Sequence, residues 1–100
     1  MSQPVVFDST FGSLEHAMRV STQRQSVIAQ NIANAKTPGY EPLDFDEELM
    51  RAVKRVDKKE VVLEDELASL TENSVRYSAY VKMMVSKLGV LRSIATQGKK

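Results

Sequence analysis

Few residues in this 100-residue chain could do chemistry. His16 is the single histidine and there is no cysteine. The sequence therefore offers no His-x-x-x-His pair, thiolate nucleophile, disulfide or cysteine-based zinc site. The carboxylates gather in two groups, Asp44, Asp46, Glu47 and Glu48, then Glu64, Asp65 and Glu66. Both groups fall at or near expected helix N-termini, where the helix dipole favours negative charge. Acting instead as a paired acid and base, they would need a pocket that three thin helices hardly provide. Ala35-Lys36-Thr37-Pro38-Gly39 sets Lys-Thr beside a glycine but lacks the glycine pattern and preceding strand of a phosphate loop. No motif assembles a nucleophile, a base and an orienting group, so neither an enzyme nor a bound cofactor or metal is expected.

Charge gives no partner away. The 14 Lys plus Arg nearly cancel the 13 Asp plus Glu, and no dense basic stretch occurs. Electrostatic capture of nucleic acid or of an anionic lipid surface has little to act through. No apolar run approaches the length of a membrane span, and Met1 to Asp8 lacks the basic and apolar regions of a secretory signal. Export, if it occurs, is expected to proceed without a cleaved Sec signal. A chain this short buries a limited share of its surface, so support from a partner or an assembly is expected.

The elements that would carry these residues are helices. Leu63, Leu67, Leu70, Ser74, Tyr77, Val81, Met84, Leu88, Leu91 and Ala95 follow a 4-3-4-3 spacing, the a/d seam of a long helix packed along another helix. The same spacing fits Phe7, Phe11, Leu14, Met18, Ser21, Gln25, Ile28, Ile32 and Ala35, with a polar middle. Two readings of Ser21 and Gln25 stay open: a buried layer that fixes register, or a solvated stretch. Thr37-Pro38-Gly39-Tyr40 reads as a type II turn in which Gly39 takes a positive φ. Asp44 with Glu47 reads as a capping box, followed by Phe45, Leu49, Val53 and Val56 on one face of a short helix.

The fold expected is all-α: an elongated helical hairpin or coiled coil of N- and C-terminal helices with a short central helix. Residues 1–100 form one helical rod domain, with a helix at about 10–34, a turn at 35–43, a short helix at about 45–55, a linker at 57–62 and a long helix at about 64–97. Asn34 is placed to cap the first helix. Tyr77 lies on the seam as core or interface, whereas Tyr40 and Tyr80 lie off it. Asn73 and Arg76 suit either a solvated face or an interface.

The run from Ser21 to Tyr40, with the core Asn31-Ile32-Ala33-Asn34-Ala35-Lys36-Thr37-Pro38-Gly39-Tyr40, resembles the N-terminal signature of bacterial flagellar rod and hook proteins. Leu70 to Tyr80 and Lys87 to Ala95 are similar to the C-terminal region of proximal rod members of the flagellar basal-body rod family. The segment from Pro42 to Leu63 is shorter here than is common in that family. The resemblance implies a structural subunit of the basal-body rod, exported by flagellar type III secretion and serving flagellum assembly and motility. It also implies polymerisation through paired terminal helices. The partners implied are other rod subunits, further copies of the chain, the base adaptor FliE and the flagellar export gate. The assembly residues implied are Asn31, Asn34, Thr37, Pro38, Gly39, Tyr40, Asn73, Arg76, Tyr77 and Leu88. A soluble helical adaptor or export chaperone that holds a partner helix is the alternative.

Overall fold

The computed structural model describes residues 9–57 and 59–98. Phe7, the first position of the N-terminal seam, lies outside them. Helix α1 spans Ser9–Ala33, strands β1 and β2 span Leu43–Asp46 and Arg51–Lys54, and helix α2 spans Leu63–Gln97. The two helices pack antiparallel, and the strands form a two-stranded antiparallel hairpin against one end of the pair. The molecule measures 66 × 26 × 16 Å, with a radius of gyration of 18.6 Å, against about 13 Å for a compact chain of this length.

The expected all-α class and short central helix are corrected by the hairpin. Residues 45–55 comprise the end of β1, a turn at 47–50 and β2, in the register Asp44 opposite Val53 and Phe45 opposite Ala52. On a helix Leu49 and Val56 would share the buried face with Phe45 and Val53, yet they are 53% and 92% exposed. The acidic residue that bonds a backbone N–H three positions on is Asp46, whose Oδ1 accepts from Leu49 N at 3.0 Å. That is one turn of helix-like capping. It stops at Met50, whose φ of 52° reverses the chain instead of continuing a helix. Asp44, the expected cap, lies in β1 and accepts from Arg55 Nε at 2.9 Å.

Helix α1 ends where the Thr-Pro-Gly sequence demands. Asn34 N and Asn34 Nδ2 both donate to Gln30 O, at 3.1 and 2.9 Å, so the side chain completes the last turn. Tyr40 N then donates to Thr37 O at 3.2 Å, closing a turn with Pro38 and Gly39 at its centre. Gly39 has φ 78° and nothing stands within 4 Å of where a Cβ would project. The requirement for glycine there is conformational, not steric. At the other connection, α2 begins without a side-chain cap but with Glu64, Asp65 and Glu66 in its first turn, where the dipole favours them.

The seam of α2 is rotated from the one its leucines suggest. Toward α1 it turns Glu66 and Asn73, both buried, with Leu70, Tyr80, Met84, Lys87 and Leu91 partly covered. Leu63, Leu67 and Leu88 remain nearly half exposed, and Ser74 is exposed. One partner helix covers only one stripe of a helix, and the polar residues of α1 draw Glu66 and Asn73 onto that stripe. Among the described residues the buried aliphatic side chains are few: Val20, Val27 and Ile28, all on α1.

Gly39→Val tests the turn. A β-branched residue at this φ costs about 1–3 kcal/mol. The expected outcome is a Tyr40 amide that exchanges at least about tenfold faster while circular dichroism retains the helix content. Unchanged exchange would show that the turn does not depend on the left-handed conformation.

Candidate functional site

Two polar layers join the elements, and both involve residues of the flagellar-type signatures. The first lies mid-helix. Ser21 Oγ donates to Asn73 Oδ1 at 3.1 Å, and Asn73 Nδ2 returns to Ser21 O at 2.8 Å and to Gln25 Oε1 at 3.4 Å. Ser21 and Asn73 are buried, so the polar middle of α1 is a packed layer at Ser21, while Gln25 sits at its exposed margin. Such a layer aligns the helices along their axes, because a shift by one turn would leave the Asn73 amide buried without partners.

The second layer lies at the hairpin end and centres on Asn31, which is 0% exposed. Its Nδ2 donates to Leu43 O at 2.8 Å and to Glu66 Oε1 at 2.6 Å. Its Oδ1 accepts from Tyr40 Oη at 2.7 Å and from Leu43 N at 3.0 Å. All four bonds an asparagine amide can make are used. Through the two bonds to Leu43, the side chain of α1 pairs with the outer edge of β1 as a neighbouring strand would. One residue thus holds the turn, the hairpin and α2 on α1.

Glu66 is 3% exposed and meets the Arg55 guanidinium at 3.1 Å. Arg55 also reaches Asp44 Oδ1 at 2.9 Å and Leu43 O at 3.3 Å. Burial lowers the Arg55 pKa, but the hydrogen bonds to Asp44 and Glu66 outweigh it and raise the value overall. The guanidinium therefore stays charged. Burial pushes the Tyr40 phenol up, Glu66 adds to this and Arg55 opposes it, so the hydroxyl remains a donor to Asn31. Arg24 fastens the hairpin from α1, with its guanidinium carbon 5.8 Å from the Phe45 ring centroid and Nη2 at 3.5 Å from Glu47 Oε2. Among the described residues no buried side-chain nitrogen or oxygen lacks a partner.

The ten signature residues do not form one site. Asn31, Asn34, Thr37, Pro38, Gly39 and Tyr40 cluster at the end of α1, where Thr37 Oγ1 donates to Asn34 Oδ1 at 3.2 Å. Asn73 belongs to the mid-helix layer. Arg76 pairs with Glu72 at 2.7 Å and lines one shallow groove with Val20, Arg24 and Tyr80. Tyr77 lines another, on the opposite side of the helix pair, with Thr22, Ser26 and Ala29. Leu88 is about 30 Å along α2 from Glu66 at the helical rise per residue. His16 lies exposed on α1. Sequence reasoning misses Glu66 and Arg55 as members of the layer. The signal available for Glu66 is its spacing of seven from Asn73, which places both in one heptad column; nothing in the spacing pairs Arg55 with either. None of the described helices is long and apolar enough to cross a membrane.

The layer at Asn31 can be tested directly. Asn31→Leu removes both donors and both acceptors and leaves Leu43 and Glu66 buried without their amide partner, at a cost of about 2–4 kcal/mol. Hydrogen exchange at the Leu43 amide should accelerate far more than at amides in the middle of α1. Equal acceleration at the two places would show that the amide does not hold the hairpin specifically.

The segment carrying these layers is also the segment with relatives. The family model described as "Flagella basal body rod protein" matches residues 14–40, which run from the first third of α1 through the turn to Tyr40. The flagellar basal body rod protein FlgB of Bacillus subtilis (strain 168) is 27% identical, over 94% of this chain and 98% of that protein. Their alignment covers 127 positions, more than the length of this chain, so the relative carries residues that this one lacks. FlgB of Escherichia coli (strain K12) is 42% identical over 48% of this chain and 36% of its own length. FlgB of Buchnera aphidicola subsp. Acyrthosiphon pisum (strain APS) is 46% identical over 35% of this chain and 26% of its own. The chain is thus similar to flagellar basal body rod proteins, by a family match over residues 14–40 and by a relative aligned over nearly its whole length.

Proposed function

We propose that the chain is a structural subunit of the proximal part of the rod and polymerises through its paired N- and C-terminal helices. The observation that carries this reading is the uncovered face of α2. Leu63, Leu67, Val75, Leu88, Val90 and Ile94 are each well exposed on a single helix. A helix apolar on several faces is stable when neighbours cover it. Large apolar side chains left exposed along a helix in this number mark a surface that partners cover.

In this reading the Asn31 and Asn73 layers set how α1, α2 and the hairpin sit together, and neighbouring subunits bury the remaining faces of α2. The signature residues Asn31, Asn34, Thr37, Pro38, Gly39, Tyr40 and Asn73 then act by shaping the subunit, whereas Arg76, Tyr77 and Leu88 face its neighbours. Those neighbours are other rod subunits, the base adaptor FliE and the flagellar export gate, and the route to the rod is flagellar type III export. No chemical step is asked of the chain; its contribution is a stiff, register-fixed building block.

Leu88→Asp provides the test. A carboxylate buried there without a partner costs more than a neutral polar group, for which transfer measurements give roughly 2–7 kcal/mol. Incorporation into purified basal bodies and swimming motility should both be lost. His16→Asp, which places a carboxylate at an exposed position of α1 that belongs to neither polar layer, should leave both nearly intact. Equal behaviour of the two variants would remove the α2 face from the mechanism, and tagged wild-type chain found only in the cytoplasm would overturn the rod reading itself.

A further inference from the structure

Charge along this molecule is sorted by end. From Glu41 to Glu72 the sequence holds eleven acidic and five basic residues, and beyond Glu72 it holds six basic and no acidic ones. The fold turns this sequence bias into a spatial one. The Glu41–Glu72 segment comprises the hairpin and the first turns of α2. Arg76, Lys82, Lys87 and Arg92 then lie along α2 as it runs away from the hairpin, so Arg92 sits about 40 Å from Glu66 along the helix. An elongated body with opposite charge at its two ends carries a field that orients whatever approaches it.

Each end also exposes apolar side chains. At the hairpin end these are Leu49, Val56, Val62, Leu63 and Leu67; at the far end they are Met83, Val85, Leu88, Val90 and Ile94. Glu48, Glu60 and Glu64 stand among the first group, and Lys82 and Arg92 among the second, all exposed. Exposed apolar side chains set among charged ones are material for a protein interface, and the charges among them are of opposite sign at the two ends.

From this we propose that the far end of α2 docks onto the hairpin end of a second copy of the same chain, giving a head-to-tail contact. The inference rests on the rod-subunit reading and deepens it by naming which surfaces meet. A head-to-tail subunit needs two different patches, one for each neighbour. Charge supports the contact: the net charge is only +1, so a chain of copies pairs opposite ends at every contact without accumulating like charge. A contact between two different patches repeats without closing unless its rotation happens to form a ring, and so builds an open filament.

Two charge-reversed variants of the full chain test the proposal by sedimentation velocity at low salt. Lys82→Glu with Arg92→Glu reverses the two exposed cations among the far-end apolar residues; Glu48→Lys with Glu64→Lys reverses two exposed carboxylates among those of the hairpin end. Each variant alone weakens the attraction between the two ends and should self-associate at least about tenfold more weakly than the wild type. Mixed in equal amounts the two variants present opposite ends again, and association should return to near the wild-type level. A variant that has merely lost its fold would not be rescued by mixing, and circular dichroism reports its helix content independently. A wild-type chain that stays monomeric, a single variant that associates like the wild type, or a mixture no stronger than its components would each overturn the contact. Wild-type chain found in basal bodies alongside an unrescued mixture would leave the rod reading standing while removing this contact.

Discussion

A 35-residue helix with one shorter partner cannot bury more than a stripe of itself, and much of this molecule follows from that constraint. Helix α1 covers the Glu66–Asn73 side of α2 and leaves Leu63, Leu67, Val75, Leu88, Val90 and Ile94 well exposed. Among the described residues Val20, Val27 and Ile28 are the buried aliphatic side chains, with Pro42 buried beside the hairpin. A core of that size contributes little on its own against the entropy of ordering the chain. The elongated shape is what remains when two long helices pair along one stripe and little else covers them.

With so little apolar burial, definition of the fold passes to hydrogen bonds. Apolar contact is non-directional and would tolerate sliding of one helix along the other. The Ser21–Asn73 layer does not, and neither does the four-bonded Asn31 amide, because any shift strands buried polar groups. The Arg55–Glu66 pair extends the second layer into the hairpin. A buried pair of this kind is weak as a source of stability and costly to break, which suits a part whose task is to hold one arrangement. The family match to residues 14–40 falls on the segment that supplies Ser21, Asn31, Asn34 and the Thr37–Tyr40 turn to these layers.

Both helices and the turn are legible in the sequence, because heptad spacing and Thr-Pro-Gly-Tyr are local signals that depend on nothing distant. The hairpin is not legible in that way. Asp44 with Glu47 satisfies the capping pattern, and Phe45, Leu49, Val53 and Val56 satisfy helical spacing. What decides for strands is remote in sequence: the Asn31 amide that pairs with the edge of β1, and the Arg55 that reaches Glu66 across the chain. The identity of the buried heptad column is hidden for a related reason. Leucines at 63, 67 and 88 announce a hydrophobic seam, whereas the inner column begins with Glu66 and Asn73, and only the polar groups of α1 make those two the better inward residues. Helix–helix pairing can thus be read from periodicity, while its rotation is set by polar partners that periodicity does not reveal.

Concentration-dependent hydrogen exchange along α2 tests the central claim, that this helix is only half covered within one subunit, most directly. The account predicts strong protection near Glu66 and Asn73, weak protection beyond Met83 when the chain is dilute, and protection of that distal stretch that rises with protein concentration. A monomer whose α2 amides are uniformly and cooperatively protected at micromolar concentration would contradict it.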